Sequence, residues 1–552
     1  MERFWLNSYA DYVPHDIPEL EHESLVDLLQ QSFNTYRNDP AVHCMGTTLS
    51  YTQLDQRSKQ FAAWLINEAR LEQGDRVAIM LPNVLQYSIA MFGILRAGLV
   101  VVNANPMYTP RELQHQLTDS GAKVLLVLEN FAHVVEKSLD GTEIQEVITT
   151  GLGDCHAFPK SWLMNTLVKR VKKMVPDYYL PNATTFNKVM THNNAENSSD
   201  ASPQVEDIAF LQYTGGTTGV SKGVMLTHSN ILSNIKQSSL WTEDSRANMR
   251  VVVAALPYYH IFALTANALA GMYYGSVNVM ITNPRDMPAF VKELSKWEFT
   301  YFPGVNTLFR GLLNTPGFAD LDFSHLRLTV GGGMAVSKDV AEQWHEVTGT
   351  HILEAYGLTE TSPGATANIV GEPWRGSIGL PNVSTWVKIV DDDDNELAIG
   401  EEGELCIKGP QVMKGYWQRP EATAETMTSD GYFKTGDYAK IDAEGFIFIL
   451  DRKKDMINVS GFNVYPNEIE DVVSNHPDIL EAAVIGVEDE KSGEAVKLFV
   501  VKKKEALTEQ ELRDYCREYL TAYKCPRHIE FRDDLPKSNV GKILRRELRE
   551  ED

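Results

Sequence analysis

Glycines, hydroxyl side chains and one lysine crowd into a short run near the middle of the chain. The run consists of Tyr213, Thr214, Gly215, Gly216, Thr217, Thr218, Gly219, Val220, Ser221, Lys222 and Gly223. A glycine-rich turn that leaves a strand exposes backbone N–H groups to phosphate oxygens, and hydroxyls and an ammonium group add donors and charge. The order differs from the G-x-x-x-x-G-K-[ST] pattern of P-loop proteins. The run therefore predicts a polyphosphate-binding loop of another type, and a flexible loop without a ligand is the alternative.

Three later segments carry residue types that suit the rest of a nucleotide. Val330 is followed by glycines up to Gly333, which let a backbone approach a ligand closely. Tyr356 can stack on a purine ring, and Glu360 offers hard oxygen ligands to Mg²⁺. Asp437 follows a tight turn and can accept hydrogen bonds from two ribose hydroxyls. Packing of the tyrosine and turn capping by the aspartate are the structural alternatives.

Two basic residues could complete this set. Arg452 could support the same sugar as Asp437. Lys542 comes directly after a glycine in the segment 536–546, on a predicted loop from which its ammonium group can reach a ligand. A solvated basic tail is the alternative for this segment.

Together these segments resemble the adenylate-forming superfamily (acyl-CoA synthetases, luciferases and peptide-synthetase adenylation domains) over essentially the whole chain. Within it, the chain most resembles the bacterial long-chain fatty-acid–CoA ligases. The motifs that carry the resemblance are Trp5–Asn7, Asn105–Leu113, Ala255–Leu264, Ile281–Asp286, Gly376–Pro381, Asp430–Lys454, Ser460–Glu470 and Pro536–Leu548. Tyr432 and Lys434 depart from the residues that are common in this family, which bears on substrate preference and not on the reaction class.

The resemblance implies a two-step reaction. A medium- or long-chain fatty-acid carboxylate attacks the α-phosphate of Mg·ATP to give acyl-adenylate and pyrophosphate, and the thiolate of CoA then displaces AMP. Nucleophile and triphosphate are both anionic, so positioning and charge neutralisation must dominate catalysis. Fatty-acid uptake and β-oxidation are the implied metabolic setting.

The resemblance also implies roles for individual residues. Residues 213–223 would hold the β- and γ-phosphates, with Thr214 and Glu360 as Mg²⁺ ligands. Five further residues would contact the rest of the ATP: Gly333, Tyr356 at the adenine, Thr359 at the α-phosphate, and Asp437 and Arg452 at the ribose. His260 would lie near the acyl carboxylate, and Lys542 would bridge carboxylate and phosphate in the first step.

The elements that must position these residues alternate along the chain. Strand-like and helix-like segments follow one another at Arg76–Leu81, Val84–Ala97, Val100–Asn103, Thr109–Ser120 and Lys123–Leu128. This βαβα order predicts an α/β fold with stacked layers and parallel strands.

A change of pattern divides the chain into two predicted domains. Residues 1–450 form the large N-terminal domain of stacked α/β layers, to which the resemblance adds a β-barrel-like part. The charged junction 451–454 is a predicted hinge, centred on Lys454. Residues 455–552 are predicted to form a small, mobile α+β domain, and the resemblance places Gly461 of this domain along the pantetheine tunnel for CoA.

Composition limits the compartment and the partners. The net charge of −24 argues against a nucleic-acid partner and requires a local basic pocket for any anionic ligand. Five cysteines without Cys-x-x-Cys spacing indicate neither a disulfide framework nor a zinc site. The N-terminus has no secretory signal, and the apolar stretch Ile89–Val102 contains Arg96 and is too short to span a bilayer. A cytoplasmic enzyme is therefore expected.

A basic amphipathic helix is predicted at Ser161–Val175. Its apolar residues share one face, and Lys169, Arg170, Lys172 and Lys173 share the other. On so acidic a protein such a helix can lie on the anionic cytoplasmic face of a membrane, and an ordinary docked surface helix is the alternative. The sequence leaves the oligomeric state undecided between a monomer and a homodimer.

Three other functions compete with the fatty-acid ligase. A stand-alone aryl-CoA ligase is disfavoured by the segment Asp430–Lys454. A peptide-synthetase adenylation domain would need a carrier domain, whereas the sequence continues for only ten residues after Lys542. A fatty-acid or nucleotide-binding membrane protein without turnover would leave Lys542 and the hinge without a purpose.

Overall fold

The computed structural model describes residues 3–191, 200–214, 221–242, 249–460, 462–489, 492–504, 506–538 and 543–551. Their strands gather into four sheets, three in the larger part of the chain and one in its C-terminal part. This arrangement confirms the predicted α/β class with a large N-terminal domain and a smaller C-terminal one. The boundaries at 450 and 455 stay predictions.

The first sheet is mostly parallel and has eight strands. In spatial order they are Gly415–Tyr416, Lys222–Thr227, Ile208–Thr214, Val100–Asn103, Arg76–Met80, Val124–Leu128, Glu146–Thr150 and Thr184–Thr185. All five residues of Val124–Leu128 are apolar and buried, as expected for a central parallel strand covered on both faces. The first two strands in this order each pair antiparallel with the next, and they form the edge nearest the candidate site.

The second sheet has nine strands and a parallel centre. In spatial order they are Leu380–Pro381, Gly364–Ala367, Ile352–Gly357, Leu328–Gly331, Tyr301–Gly304, Val251–Ala254, Val277–Met280, Pro40–Cys44 and Thr47–Ser50. The outer pairings at both ends are antiparallel. The glycine segment ending at Gly333 follows one central strand, and Tyr356 lies on its neighbour, so the topology brings them close together.

Two antiparallel sheets follow. The third sheet consists of Trp386–Val390, Gly403–Lys408, Phe433–Ile441 and Ile447–Arg452. The fourth contains Phe462–Val464, Ile457–Val459, Gly493–Lys502 and Ile479–Asp489, with His528–Arg532 added in parallel to Gly493–Lys502. The fourth sheet has a buried apolar cluster of its own.

Helices cover the sheets, and their ends follow local sequence signals. The described α-helices are Leu25–Thr35, Tyr51–Asn67, Leu85–Arg96, Pro110–Ser120, Ala132–Glu136, Lys160–Thr166, Phe186–Met190, His228–Trp241, Ile261–Ala263, Ala270–Tyr274, Met287–Leu294, Asn306–Leu313, Lys338–Thr348, Pro420–Glu425, Pro466–Ser474, Glu509–Tyr519 and Arg545–Glu550. Thr109 and Glu112 form a capping box at the start of Pro110–Ser120, and Gly121 ends it with φ of 59°. Within the described ranges, no helix has the length and apolar character needed to cross a membrane.

The predicted amphipathic helix differs from the observed one. The α-helix Lys160–Thr166 continues as a π-helical turn, Leu167–Val171, and the chain leaves the helix before Val175. Of the predicted apolar face, Val168 is buried and Met164 and Val175 are half-buried. The other members are exposed, namely Leu163, Leu167, Val171 and Met174.

Candidate active site

The predicted phosphate loop closes a hairpin at the edge of the first sheet. Strands Ile208–Thr214 and Lys222–Thr227 pair antiparallel, with Thr214 directly opposite Lys222. The hairpin leaves the carboxyl end of a parallel strand, which is where open α/β sheets bind their ligands. Gly215–Val220 lie outside the described residues, so their phosphate contacts stay predictions.

A neighbouring helix holds both ends of this hairpin. The Nε2 of His115 lies 3.1 Å from the carbonyl oxygen of Ser221, and the hydroxyl of Tyr213 donates to Asp119 Oδ2 at 2.8 Å. Burial, and after it the Asp119 carboxylate, raises the pKa of Tyr213, which keeps this hydroxyl a donor. A Cβ on Gly223 would lie 3.0 Å from the Tyr213 ring, so glycine lets this strand pack closely against the ring. The Tyr213 side chain is thus fixed against the neighbouring helix, and its part in phosphate binding stays a prediction.

Three predicted nucleotide contacts form one cluster between the second and third sheets. The hydroxyl of Tyr356 donates to Asp437 Oδ2 at 2.6 Å, and Arg452 Nε lies 3.2 Å from Asp437 Oδ1. Asp437 and Arg452 face each other on paired strands, which fixes their separation. Burial raises the pKa of Tyr356 well above its usual value, and the Asp437 carboxylate raises it further. An aromatic face, a carboxylate and a guanidinium therefore meet at one point, as a nucleoside site requires.

Glu360 lies next to this cluster, in the short turn Thr359–Thr361. Burial raises the pKa of Glu360, while the Arg452 guanidinium lowers it and the Asp437 carboxylate raises it, so these charges act on one another. The hydroxyl of Tyr416 donates to Glu360 Oε1 at 2.9 Å. Glu360 follows Tyr356 by four residues, in the turn just after its strand, so it lies beside the ribose-type cluster.

The Glu360 carboxylate fits a divalent cation. Its side chain is only 9% exposed, and among the described residues it forms no ion pair to offset the burial of its charge. No group of three or more His, Cys, Asp or Glu side chains is placed to hold a metal within the described ranges. A cation here would share its coordination with ligand oxygens, which suits Mg²⁺ in phosphate sites. Thr214, the other predicted ligand, is partly exposed at the end of its strand.

The glycine segment and the strand beside it form the predicted adenine side of the site. Gly333 has φ of +75°, a conformation that strongly favours glycine. Glu354 precedes Tyr356 by two residues on one strand, so both side chains point to the same face. Glu354 Oε1 accepts a hydrogen bond from the N–H of Val336 at 3.1 Å, and Oε2 has no hydrogen-bond partner among the described residues. Burial raises the pKa of Glu354 to about 7.

His260 lies at the start of the short helix Ile261–Ala263, and its Nδ1 accepts from the N–H of Phe262 at 3.4 Å. Gln212 lies on the strand before the phosphate loop. Its side-chain amide donates to the carbonyl of Tyr259, the residue before His260, at 2.5 Å. A Cβ on Gly332 would come within 3.2 Å of the Phe262 ring. The fold thus brings His260 between the phosphate-loop strand and the glycine segment, and its contact with an acyl carboxylate stays a prediction.

The predicted hinge borders the nucleotide cluster. A cavity of about 250 Å³ is lined by Thr435, Gly436, Arg452, Lys453 and Lys454. Burial lowers the pKa of Lys454 to about 8. Asp451 accepts hydrogen bonds from Arg545 at 3.0 Å and from the N–H of Asn467 at 2.7 Å, and both contacts cross the predicted hinge. A rotation about Lys454 would have to break or rearrange them.

The sequence and the structure identify different parts of the site. Gly461 and Lys542 lie outside the described residues, so their roles stay predictions. The sequence reasoning missed Asp119, Glu354 and Tyr416. An acidic residue two positions before Tyr356 in one strand is a signal that could have identified Glu354, whereas the other two depend on contacts between distant segments.

Two family models match the chain. The AMP-binding enzyme model matches residues 29–417, and the AMP-binding enzyme C-terminal domain model matches residues 468–542. The first match covers more than half of the chain, so the chain belongs to the AMP-binding enzyme family. The predicted resemblance to the adenylate-forming superfamily is confirmed.

Relatives of full length narrow this assignment. The chain is 54% identical over 555 residues to a long-chain-fatty-acid–CoA ligase of Escherichia coli O157:H7, spanning 100% of this chain and 98% of that protein. It is 38% identical over 553 residues to a long-chain-fatty-acid–CoA ligase of Bacillus subtilis (strain 168), spanning 99% and 98%. Among solved structures, an anthranilate CoA ligase in complex with anthranoyl-AMP matches with a TM-score of 0.82 at 25% identity, over 97% of this chain and 98% of that one. The predicted similarity to bacterial long-chain ligases is confirmed.

Proposed function

We propose that this protein activates medium- and long-chain fatty acids with ATP and transfers the acyl group to CoA, for fatty-acid uptake and degradation. The observation that carries the proposal is the cluster of Tyr356, Asp437 and Arg452, with the buried carboxylate of Glu360 in the turn that follows the strand of Tyr356. The likeness to long-chain-fatty-acid–CoA ligases over the whole chain supports the fatty acid as the substrate.

The chemistry consists of two displacements. In the first, a carboxylate oxygen of the fatty acid bonds to the α-phosphorus of ATP. The bond from the α-phosphorus to the oxygen that bridges the α- and β-phosphates breaks, and pyrophosphate leaves with its electrons. In the second, the sulfur of CoA bonds to the acyl carbon, AMP leaves, and the thiol proton passes to solvent. We assign the adenine to Tyr356 and Gly333, the ribose to Asp437 and Arg452, and the phosphates to Thr359 and residues 213–223.

We assign Mg²⁺ to Glu360 and Thr214. When bound, the ion neutralises phosphate charge that would otherwise repel the incoming carboxylate. Glu360 supplies a buried carboxylate for it, and Lys222 supplies a second positive charge at the end of the loop.

The proposal also assigns the two steps to two positions of the C-terminal domain. Lys542 bridges carboxylate and α-phosphate in the first step, with His260 near the acyl group. A swing about Lys454 then brings Gly461 to the pantetheine arm of CoA. The contacts of Asp451 with Arg545 and Asn467 hold the two sides of this junction in one arrangement, so the swing requires that they break.

ATP–pyrophosphate exchange tests the proposal. A panel of acids from acetate to oleate should show exchange that depends on the fatty acid and is strongest for medium or long chains. Exchange with benzoate or anthranilate but not with fatty acids would make the protein an aryl-CoA ligase. Tight nucleotide and fatty-acid binding without exchange would make it a binding protein.

We further propose a cytoplasmic location with peripheral contact to the membrane. Half of the large exposed apolar side chains of the described residues lie in one stretch of the chain, residues 158–179, which we call the basic apolar segment. They are Phe158, Trp162, Leu163, Leu167, Val171, Met174 and Tyr179. Lys169, Arg170, Lys172 and Lys173 are exposed in the same segment. Apolar side chains flanked by basic ones suit an anionic lipid surface, to which a chain of net charge −24 would otherwise not bind.

Liposome sedimentation tests this contact. Each basic residue contributes about 1 kcal/mol near an anionic surface, so changing Lys169, Arg170, Lys172 and Lys173 to Gln should weaken binding to phosphatidylserine vesicles on the order of 1,000-fold. A control variant with the same charge change elsewhere replaces the exposed residues Lys292, Lys296, Arg327 and Lys338 by Gln. If the two variants bind the vesicles equally well, the basic apolar segment is not the membrane contact. A homodimer and the absence of a nucleic-acid partner stay predictions.

A further inference from the structure

Tyr416 contacts two charged side chains of the candidate site, Glu360 and Lys222. It is 7% exposed and lies on the two-residue strand Gly415–Tyr416, which pairs antiparallel with Lys222–Thr227. Its hydroxyl donates to Glu360 Oε1 at 2.9 Å, and the ammonium nitrogen of Lys222 lies 4.9 Å from the centre of its ring. One side chain thus connects a carboxylate and an ammonium group that come from different sheets.

The backbone around Tyr416 is fastened to the same two places. The N–H of Met413 donates to the carbonyl of Glu360 at 2.8 Å, and the N–H of Trp417 donates to the carbonyl of Gly223 at 2.7 Å. The ring is therefore held between the turn that carries Glu360 and the strand that begins with Lys222. A buried side chain fixed at both ends can hold its partners in one geometry.

We propose that Tyr416 is a positioning residue that orients Glu360 toward the cation and Lys222 toward the phosphates. The inference rests on the proposed function and deepens it. The hydroxyl occupies Oε1 and fixes the carboxylate rotamer, which leaves Oε2 for the metal ion. The ring face stabilises the ammonium group through a cation–π contact and limits where it can point.

Two substitutions separate the two contacts. Tyr416→Phe removes the hydroxyl and keeps the ring, so the Glu360 contact is lost and the Lys222 contact remains. Tyr416→Leu removes both. Tyr178→Phe is a matched control, because Tyr178 also donates to a glutamate, Glu129 Oε1, at 2.9 Å and also has a lysine near its ring.

Calorimetry with α,β-methylene-ATP, which cannot be cleaved at the α–β bond, measures the effects without turnover. Mn²⁺ is titrated into each protein saturated with the analogue, and the analogue is titrated separately in EDTA. Tyr416→Phe should weaken Mn²⁺ binding 10- to 100-fold, as for other residues that orient a metal ligand. Its affinity for the analogue in EDTA should stay within about twofold of the original, because a cation–π contact to Lys222 remains. Tyr416→Leu should weaken both affinities, and Tyr178→Phe neither.

The outcomes distinguish the inference from the function on which it rests. Failure of the unmodified protein to bind the analogue at all would contradict the proposed function. Normal Mn²⁺ binding by Tyr416→Phe in a protein that does bind the analogue would overturn the positioning role. An equal loss of both affinities in Tyr416→Phe, together with a lowered Tm, would also overturn it, since the hydroxyl would then serve folding only.

Discussion

Replacing Glu354 by glutamine tests how burial controls a carboxyl group beside the predicted adenine site. Glu354 Oε1 accepts the N–H of Val336, and burial raises the pKa of Glu354 from 4.5 to about 7. Between these two pH values the folded protein keeps a proton that the unfolded chain has already released. The stability that this proton confers is fully present below pH 4.5 and is lost as the pH rises through 7.

The structure sets an upper limit on the size of this effect. A rise of the Glu354 pKa from 4.5 to about 7, at about 1.4 kcal/mol for each pKa unit, gives at most about 3.5 kcal/mol. Glutamine cannot titrate, and its side-chain oxygen can still accept the N–H of Val336. The free energy of unfolding of Glu354→Gln minus that of the unmodified protein should therefore grow by up to about 3 kcal/mol between pH 4.5 and 8.

Urea unfolding of the ligand-free protein at several pH values from 5 to 8 measures this difference. Glu346→Gln, which removes an exposed glutamate of the helix Lys338–Thr348, corrects for the general loss of one carboxylate. A difference for Glu354→Gln that does not change with pH would refute the reasoning. Growth of the difference toward lower pH would refute it as well, because the sign would then be reversed.

Four further changes probe the nucleotide site and the hinge. Asp437→Asn should weaken ATP binding roughly 10- to 100-fold in a KM or calorimetric measurement, because a charged partner of Arg452 and of the ribose is lost; unchanged ATP affinity would contradict the ribose assignment. Glu360→Ala should abolish acyl-AMP formation at physiological Mg²⁺, and near-normal formation would disprove the metal assignment. Lys542→Ala should lose adenylation by orders of magnitude and still convert preformed acyl-adenylate to thioester. Lys454→Pro should impair the thioester step more than adenylation, since proline fixes φ and hinders the swing; equal damage to both steps by both variants would argue against alternation.

Local patterns in the sequence were enough to predict many elements of the fold. The strand Val100–Asn103 has the predicted bounds, and the helix Pro110–Ser120 starts after the predicted Thr109, because its capping box and terminal glycine are local signals. The burial of the helix in the basic apolar segment was harder to predict, since its periodicity fits either a docked apolar face or an exposed one. Only the packing shows that Leu163, Leu167 and Val171 are exposed.

The candidate site was predictable only where a residue type itself suggests chemistry. Tyr356, Glu360 and Asp437 were found in this way, and the structure brings them together with Arg452. Tyr416 was missed because an aromatic residue between a glycine and a tryptophan gives no chemical signal. Its contacts with Glu360 and Lys222 arise only when two sheets meet.

Oxygen-isotope transfer tests the central claim most directly, namely that the fatty-acid carboxylate attacks the α-phosphate of ATP. The protein is supplied with ATP, CoA, Mg²⁺ and a long-chain fatty acid in which both carboxyl oxygens are ¹⁸O, and the products are analysed by mass spectrometry. The account predicts AMP that carries one ¹⁸O atom for each acyl-CoA formed, and unlabelled pyrophosphate. Label in inorganic phosphate with ADP as the nucleotide product, or unlabelled AMP alongside acyl-CoA, would contradict it.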